Sequence, residues 1–181
     1  GIVWSAFGTS GQRCTAASRV IVHESLYGAL SRTLAERAEA LRLGPGWDDE
    51  TDVGPVINGA ALEKIHSYVQ IGKEEGATLL TGGEAATEGD LGKGFFYRPT
   101  IFADVDPQMR IAQEEIFGPT TALISVGSFE DALRVANGIR YGLSSSIFTR
   151  DVNKAFRAMR DLQSGITYIN AGTTGAEVHL P

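Results

Sequence analysis

Two hydrophobic periods alternate through the last third of the chain, and that alternation leaves few folds open. Apolar and β-branched runs stand at "TTALISV" (Thr120 to Val126), "SSSIFT" (Ser144 to Thr149) and "GITYIN" (Gly165 to Asn170). Between them lie helical patterns, from Ser128 to about Ile139 and from Asp151 to about Leu162, each with an N-cap residue at its start. Strands separated by amphipathic helices pair in parallel through right-handed crossovers, because a hairpin cannot join parallel strands. The expected fold class is therefore α/β: an open, mostly parallel twisted sheet with helices on both faces.

The first two thirds fit the same plan. "SRVIV" (Ser18 to Val22) reads as a buried strand, and Leu26, Leu30, Leu34, Ala38 and Leu41 recur at helical spacing before "LGPG" breaks the pattern. A second helix is expected from an Asn58 cap, with Leu62, Ile65 and Val69 on one face and Gly76 in the left-handed position at its end. "ATLLTGG" reads as a strand, residues 82–94 as a polar surface loop, and "FFYRPTIFADV" as a strand that Pro99 bends or interrupts.

Composition narrows the function classes. At 181 residues the chain has the length of one domain with a full core. Its 16 Lys and Arg are not gathered into a stripe and the net charge is −6, which gives nucleic acid no electrostatic footing. No apolar run reaches the roughly 20 residues of a bilayer span, so no membrane partner is expected. One cysteine cannot form an internal disulfide, and "GIVWSAFGTS" lacks the basic and apolar regions of a secretion signal, so a cytoplasmic location is expected. His23, His66 and His179 are scattered without ligand spacing, so no metal site is expected.

The single thiol, Cys14, follows a turn of Gly8, Thr9, Ser10 and Gly11 and precedes the first strand. A lone cysteine has two readings: a small buried hydrophobe, or a nucleophile whose thiolate Arg13 favours and whose turn offers backbone N–H groups to a reacting atom. "AQEEIFGP" (Ala112 to Pro119) likewise reads either as a solvated element end or as a pair of functional carboxylates.

"GQRC" followed about a hundred residues later by "EEIFGP" resembles the catalytic domain of the aldehyde dehydrogenase superfamily, and the likeness continues through "VGPVI", "EGATLLTGG", "YGLSSSIFT" and "GITYIN". The resemblance implies Cys14 as the nucleophile that attacks an aldehyde, with a thiohemiacetal and then a thioester on the way to the carboxylic acid. It implies NAD or NADP as cofactor, with Glu115 holding the nicotinamide ribose, Phe117 packing near the nicotinamide and Lys64 near the adenine-side ribose. Arg13 and the "NAGTTGAEV" loop, through Gly175 and Ala176, resemble the branch that oxidises semialdehydes such as aminoadipate or oxoglutarate semialdehyde, in which they grip a distal carboxylate. For Arg13 the alternative is that it lowers the thiol pKa or faces solvent.

The same resemblance places the family's cofactor-binding half, an oxyanion Asn and the general-base Glu of an "ELGGK" segment upstream, and a further strand downstream. The chain is therefore expected to be a single catalytic domain, 1–181, from a longer and homo-oligomeric enzyme, and inactive by itself. Two other readings stand beside this one: a phosphorylating or CoA-acylating member of the superfamily, and a scaffold or oligomerisation piece without chemistry.

Overall fold

The computed structural model describes residues 1–175. Strand β1 (Arg19–His23) is followed by helix α2 (Glu24–Glu39), after a short opening helix α1 (Ile2–Phe7). Helix α3 (Gly59–Glu74), strands β2 (Thr78–Thr81) and β3 (Thr100–Ala103), the single-turn helix α4 (Arg110–Gln113) and strand β4 (Thr120–Val126) come next. Helix α5 (Phe129–Asn137), strand β5 (Ser144–Ile147), helix α6 (Val152–Asp161) and strand β6 (Ile166–Ile169) complete the order.

Four strands form one sheet in the order β1-β4-β3-β2. β4 lies parallel to β1, with Arg19 opposite Ala122 and His23 opposite Val126, and parallel to β3 on its other side. Only the edge strand β2 runs antiparallel. β5 and β6 pair in parallel but stand apart as a two-stranded sheet. The pairing is mostly parallel, as the alternation of periods requires, but the strands divide between two sheets. A crossover helix fixes the direction of the next strand and leaves its neighbour open.

Both faces of the main sheet are covered, and β4 shows it residue by residue. Ala122, Ile124 and Val126 enter a core shared with Ile65 and Val69 of α3 and Val135 of α5. Leu123 points the other way, into a core with Phe7 of α1 and Leu34 and Ala38 of α2. Successive side chains of a strand alternate faces, so a strand covered on both sides reads as continuously apolar.

Helix ends follow the capping residues. Asn58 accepts from the Ala61 N–H at 2.9 Å, Ser128 from Asp131 at 3.0 Å and Asp151 from Asn153 at 2.8 Å. Gly76 takes φ +93° just past α3. α2 starts two residues before the apolar pattern that announces it, because the His23 imidazole caps it by accepting from the Ser25 N–H. The six-residue α1 went unread in the sequence, being too short to show a period. Pro99 stands immediately before β3, and Tyr97 ahead of it bridges to Ala85. Among the described residues no helix is long and apolar enough to cross a membrane.

Leu123 is fully buried on the central strand. Leu123→Ala should lower unfolding free energy by about 2–5 kcal/mol, read from the urea midpoint at unchanged m-value.

Candidate active site

The parallel pairing of β1 with β4 sets the site. The Cys14 turn runs into β1 and the "EEIFGP" turn runs into β4, so both turns stand at the amino ends of two neighbouring strands. Open α/β sheets more often use the carboxyl ends. Here the amino ends carry the candidate chemistry, and the loop that leaves β6 arrives from its carboxyl end to join them.

The two turns touch through backbone alone. Gly11 has φ +62°, and a Cβ there would collide with the carbonyl oxygen of Gly118. Only glycine combines that conformation with that approach. Ser10, beside it, holds φ 55°, and Phe117 holds φ 61°. Positive φ in a bulky side chain such as Phe117 costs on the order of 1–3 kcal/mol and persists only where the surroundings impose it.

Side chains lock the Cys14 turn from three directions. Ser10 Oγ donates to the Gly54 carbonyl at 2.8 Å, and Gln12 Oε1 accepts from the Ile57 N–H at 3.0 Å, so the "VGPVI" segment is fastened beneath it. The Ala17 N–H donates to Ser5 O of α1 at 3.0 Å. Thr173 Oγ1 donates to Thr15 O at 2.6 Å, and Ser5 Oγ accepts from the Thr173 N–H at 3.1 Å. The Arg13 guanidinium makes a long 3.5 Å contact to the Thr174 carbonyl. Cys14 itself is exposed, and its backbone N–H meets no acceptor among the described residues. A thiol open to solvent beside a free N–H suits attack on a carbonyl whose oxygen becomes negative.

In "EEIFGP" the two acids point apart. Glu114 is extended (φ −113°, ψ 150°), a conformation that sends adjacent side chains to opposite sides. Its carboxylate accepts from Tyr68 Oη at 2.6 Å and from Arg110 Nε and Nη2 at 3.1 and 3.0 Å. The Arg110 fork, and after it the Tyr68 hydroxyl, hold Glu114 down to about 2. Glu115 is exposed, and its carboxylate bonds to no described residue. Phe117 is 39% exposed, which leaves part of its ring free to meet a planar ligand.

The structure thus assembles Arg13, Cys14, Glu115 and Phe117 at one edge of the sheet, with the loop that runs to Gly175 beside them. A Cβ on Gly175 would meet nothing within 4 Å, so its backbone is open to approach. Ala176 and His179 lie outside the described residues. Lys64 Nζ donates to the backbone carbonyl of Glu115 at 3.0 Å, which leaves two of its three donors. Among the described residues no three His, Cys, Asp or Glu side chains gather in a way that would hold a metal ion. Gln12, Tyr68 and Thr173 escaped the sequence reading because their partners are remote in the chain. Only the Arg110–Glu114 pair had a local signal, its i,i+4 spacing.

The family model described as "Aldehyde dehydrogenase family" matches residues 1–181. The chain belongs to the aldehyde dehydrogenase family. Alpha-ketoglutarate semialdehyde dehydrogenase of Haloferax volcanii is 47% identical over 175 residues, which are 97% of this chain and 36% of that protein. A 1-pyrroline-5-carboxylate dehydrogenase of Geobacillus sp. is 46% identical over 177 residues, 98% of this chain and 33% of its own length. Among solved structures, betaine aldehyde dehydrogenase of Staphylococcus aureus in complex with NAD+ gives a TM-score of 0.93 at 36% identity, over 94% of this chain and 34% of that one. HpcC of Thermus thermophilus gives 0.93 at 41% identity, over 97% and 35%. The chain therefore spans roughly a third of the length of these aldehyde dehydrogenase relatives.

The contact between the turns is testable with two glycines. Gly11→Ala should destabilise by at least the ~1–2 kcal/mol of a left-handed non-glycine residue, with the clash against Gly118 adding to it. Gly28→Ala, in the middle of α2 with nothing within 4 Å of the new Cβ, should instead stabilise by about 0.5–1 kcal/mol. Chemical denaturation of both variants reads the difference.

Proposed function

We propose that residues 1–181 form the nucleophile-bearing catalytic segment of a longer NAD- or NADP-dependent aldehyde dehydrogenase. The observation that carries this reading is the backbone contact of Gly11 with Gly118, which fastens the thiol turn to the turn bearing Glu115. A nucleophile and a cofactor-holding acid must keep a fixed separation for a bound C–H bond to reach the nicotinamide. Relatives with solved structures support the cofactor: betaine aldehyde dehydrogenase of Staphylococcus aureus is seen with NAD+, and in one such structure with a BME-modified cysteine.

In this reading the Cys14 thiolate attacks the aldehyde carbon, forming a C–S bond while the carbonyl oxygen takes the negative charge. The Cys14 N–H donates to that oxygen and lowers the barrier to the tetrahedral adduct. A nicotinamide cofactor held by Glu115 and Phe117 would supply the hydride acceptor, and loss of the hydride from the adduct would leave Cys14 carrying the acyl group as a thioester. Water then cleaves the C–S bond, releasing the carboxylic acid and the thiol. The Glu115 carboxylate offers two acceptor oxygens to the two ribose hydroxyls, and Phe117 offers a ring face to the nicotinamide. Lys64 keeps two donors for the adenine-side ribose.

For the substrate we propose an aldehyde with a carboxylate at its far end. Two α-ketoglutarate semialdehyde dehydrogenases, 47% and 39% identical, support this. Arg13 is exposed beside the thiol and makes one long contact among the described residues, so its fork can take a carboxylate through paired charge-assisted bonds. The open backbone at Gly175 offers a further amide to the same carboxylate.

In the full-length polypeptide, Cys14→Ala should abolish turnover and leave dinucleotide binding intact; unchanged turnover would refute the nucleophile. Arg13→Ala should raise KM for an acidic semialdehyde about tenfold or more, the worth of a lost charged hydrogen bond. A neutral aliphatic aldehyde of equal length should keep its KM, and an equal loss for both substrates would remove the carboxylate grip. A Cys14 no more reactive toward iodoacetamide than a free thiol would favour a scaffold without chemistry.

A further inference from the structure

The geometry points to Tyr68, Glu114 and Arg110 as a positioning device for Glu115: a hydroxyl from α3 and a guanidinium from α4 grip the first acid of "EEIFGP" so that the second is presented at one fixed place. This rests on the reading of Glu115 as the ribose-holding carboxylate.

Glu115 needs such a device because nothing among the described residues holds its own side chain. Its carboxylate is exposed and unbonded among the described residues, so its position is set by the backbone that carries it. That backbone is held on both sides of the peptide joining the two acids. Before it, the Glu114 N–H donates to Arg110 O at 2.8 Å, and the Glu114 carboxylate takes three hydrogen bonds from Tyr68 and Arg110. After it, Lys64 Nζ donates to Glu115 O at 3.0 Å. Lys64 and Tyr68 stand one turn apart on α3 and share a face. Their neighbours Ile65 and Val69 are fully buried in the core, so α3 provides a rigid base for both grips.

Arg110 is fastened in turn. Its backbone N–H donates to both oxygens of Glu75, next to the end of α3, at 3.1 and 2.9 Å. Its guanidinium lies 5.8 Å from the Tyr68 ring centre, and Lys64 Nζ lies 5.9 Å from the same ring. Two cations against one aromatic ring favour its present orientation. The bidentate fork adds direction to the attraction, since both carboxylate oxygens must lie in the guanidinium plane. Glu114 stays ionised at every pH where an enzyme of this kind works, being held at about 2, and Tyr68 keeps its proton because the Glu114 hydrogen bond raises it above its ordinary value.

Tyr68→Phe removes one hydroxyl and preserves the ring, and Glu114→Gln removes the charge at constant shape. In the full-length enzyme, each should slow single-turnover reduction of NAD by about tenfold or more, as expected for a lost bond to a charged group. The dissociation constant of the dinucleotide should change less than twofold, and the thermal midpoint of Tyr68→Phe should match the parent. The deciding measurement is the pair Tyr68→Phe with Glu115→Gln. Because Tyr68 acts through Glu115, the double variant should be no slower than Glu115→Gln alone. Additive losses, or an unchanged single-turnover rate in both Tyr68→Phe and Glu114→Gln, would overturn the device. If Glu115→Gln alone leaves hydride transfer unaltered, the ribose role itself falls, and the device with it.

Discussion

Everything at the candidate site depends on the parallel pairing of β1 with β4. The strands are a hundred residues apart in sequence, yet Arg19 lies opposite Ala122 and the next four residues of each remain in register. Parallel strands place like ends together, so the turns that lead into them must meet. Had β4 run antiparallel, the "EEIFGP" turn would stand at the opposite end of the sheet from Cys14. Apolar burial enforces the register: a slip of one residue would move Leu123 and its neighbours Ala122 and Ile124 to the wrong cores.

Conformational strain gathers where the two turns meet. Ser10 and Phe117 take positive φ, and Gly11 approaches Gly118 too closely for any side chain. The site is assembled by backbone packing and side-chain ties from Ser10 and Gln12, leaving the thiol, the Glu115 carboxylate and much of the Phe117 ring uncommitted. Among the described residues the groups proposed to react or bind remain free, while their neighbours in the chain carry the structural ties. The two acids of "EEIFGP" show the division most plainly, one gripped by Arg110 and Tyr68 and the other exposed.

The loop leaving β6 joins the site by a different route. Thr173 bonds at once to Ser5 of α1 and Thr15 of the thiol turn, so one threonine ties three segments of the chain together. The adjacent Arg13 contact to Thr174 is longer and exposed. The loop is thus held firmly through Thr173 and only loosely through Arg13, whose guanidinium makes one long contact among the described residues.

Much of the fold was legible in the sequence because local signals agreed. Period, β-branching and caps at Asn58, Ser128 and Asp151 located the long helices and most strands within a few residues, since each depends on neighbours near in the chain. Through the family resemblance they carry, the two motifs singled out Cys14, Glu115 and Phe117 as candidates, and Arg13 and the 170–178 loop as their companions. Tertiary structure alone decided the split into two sheets, the antiparallel edge at β2, the Gly11–Gly118 contact and the Tyr68 hydrogen bond to Glu114. Those outcomes depend on which surfaces meet after the chain has folded. The adjacent glutamates carry the same charge; Arg110, one turn earlier, selects Glu114 by local spacing, and the arrival of Tyr68 from α3 completes the grip that distinguishes the acid that anchors from the one that is exposed.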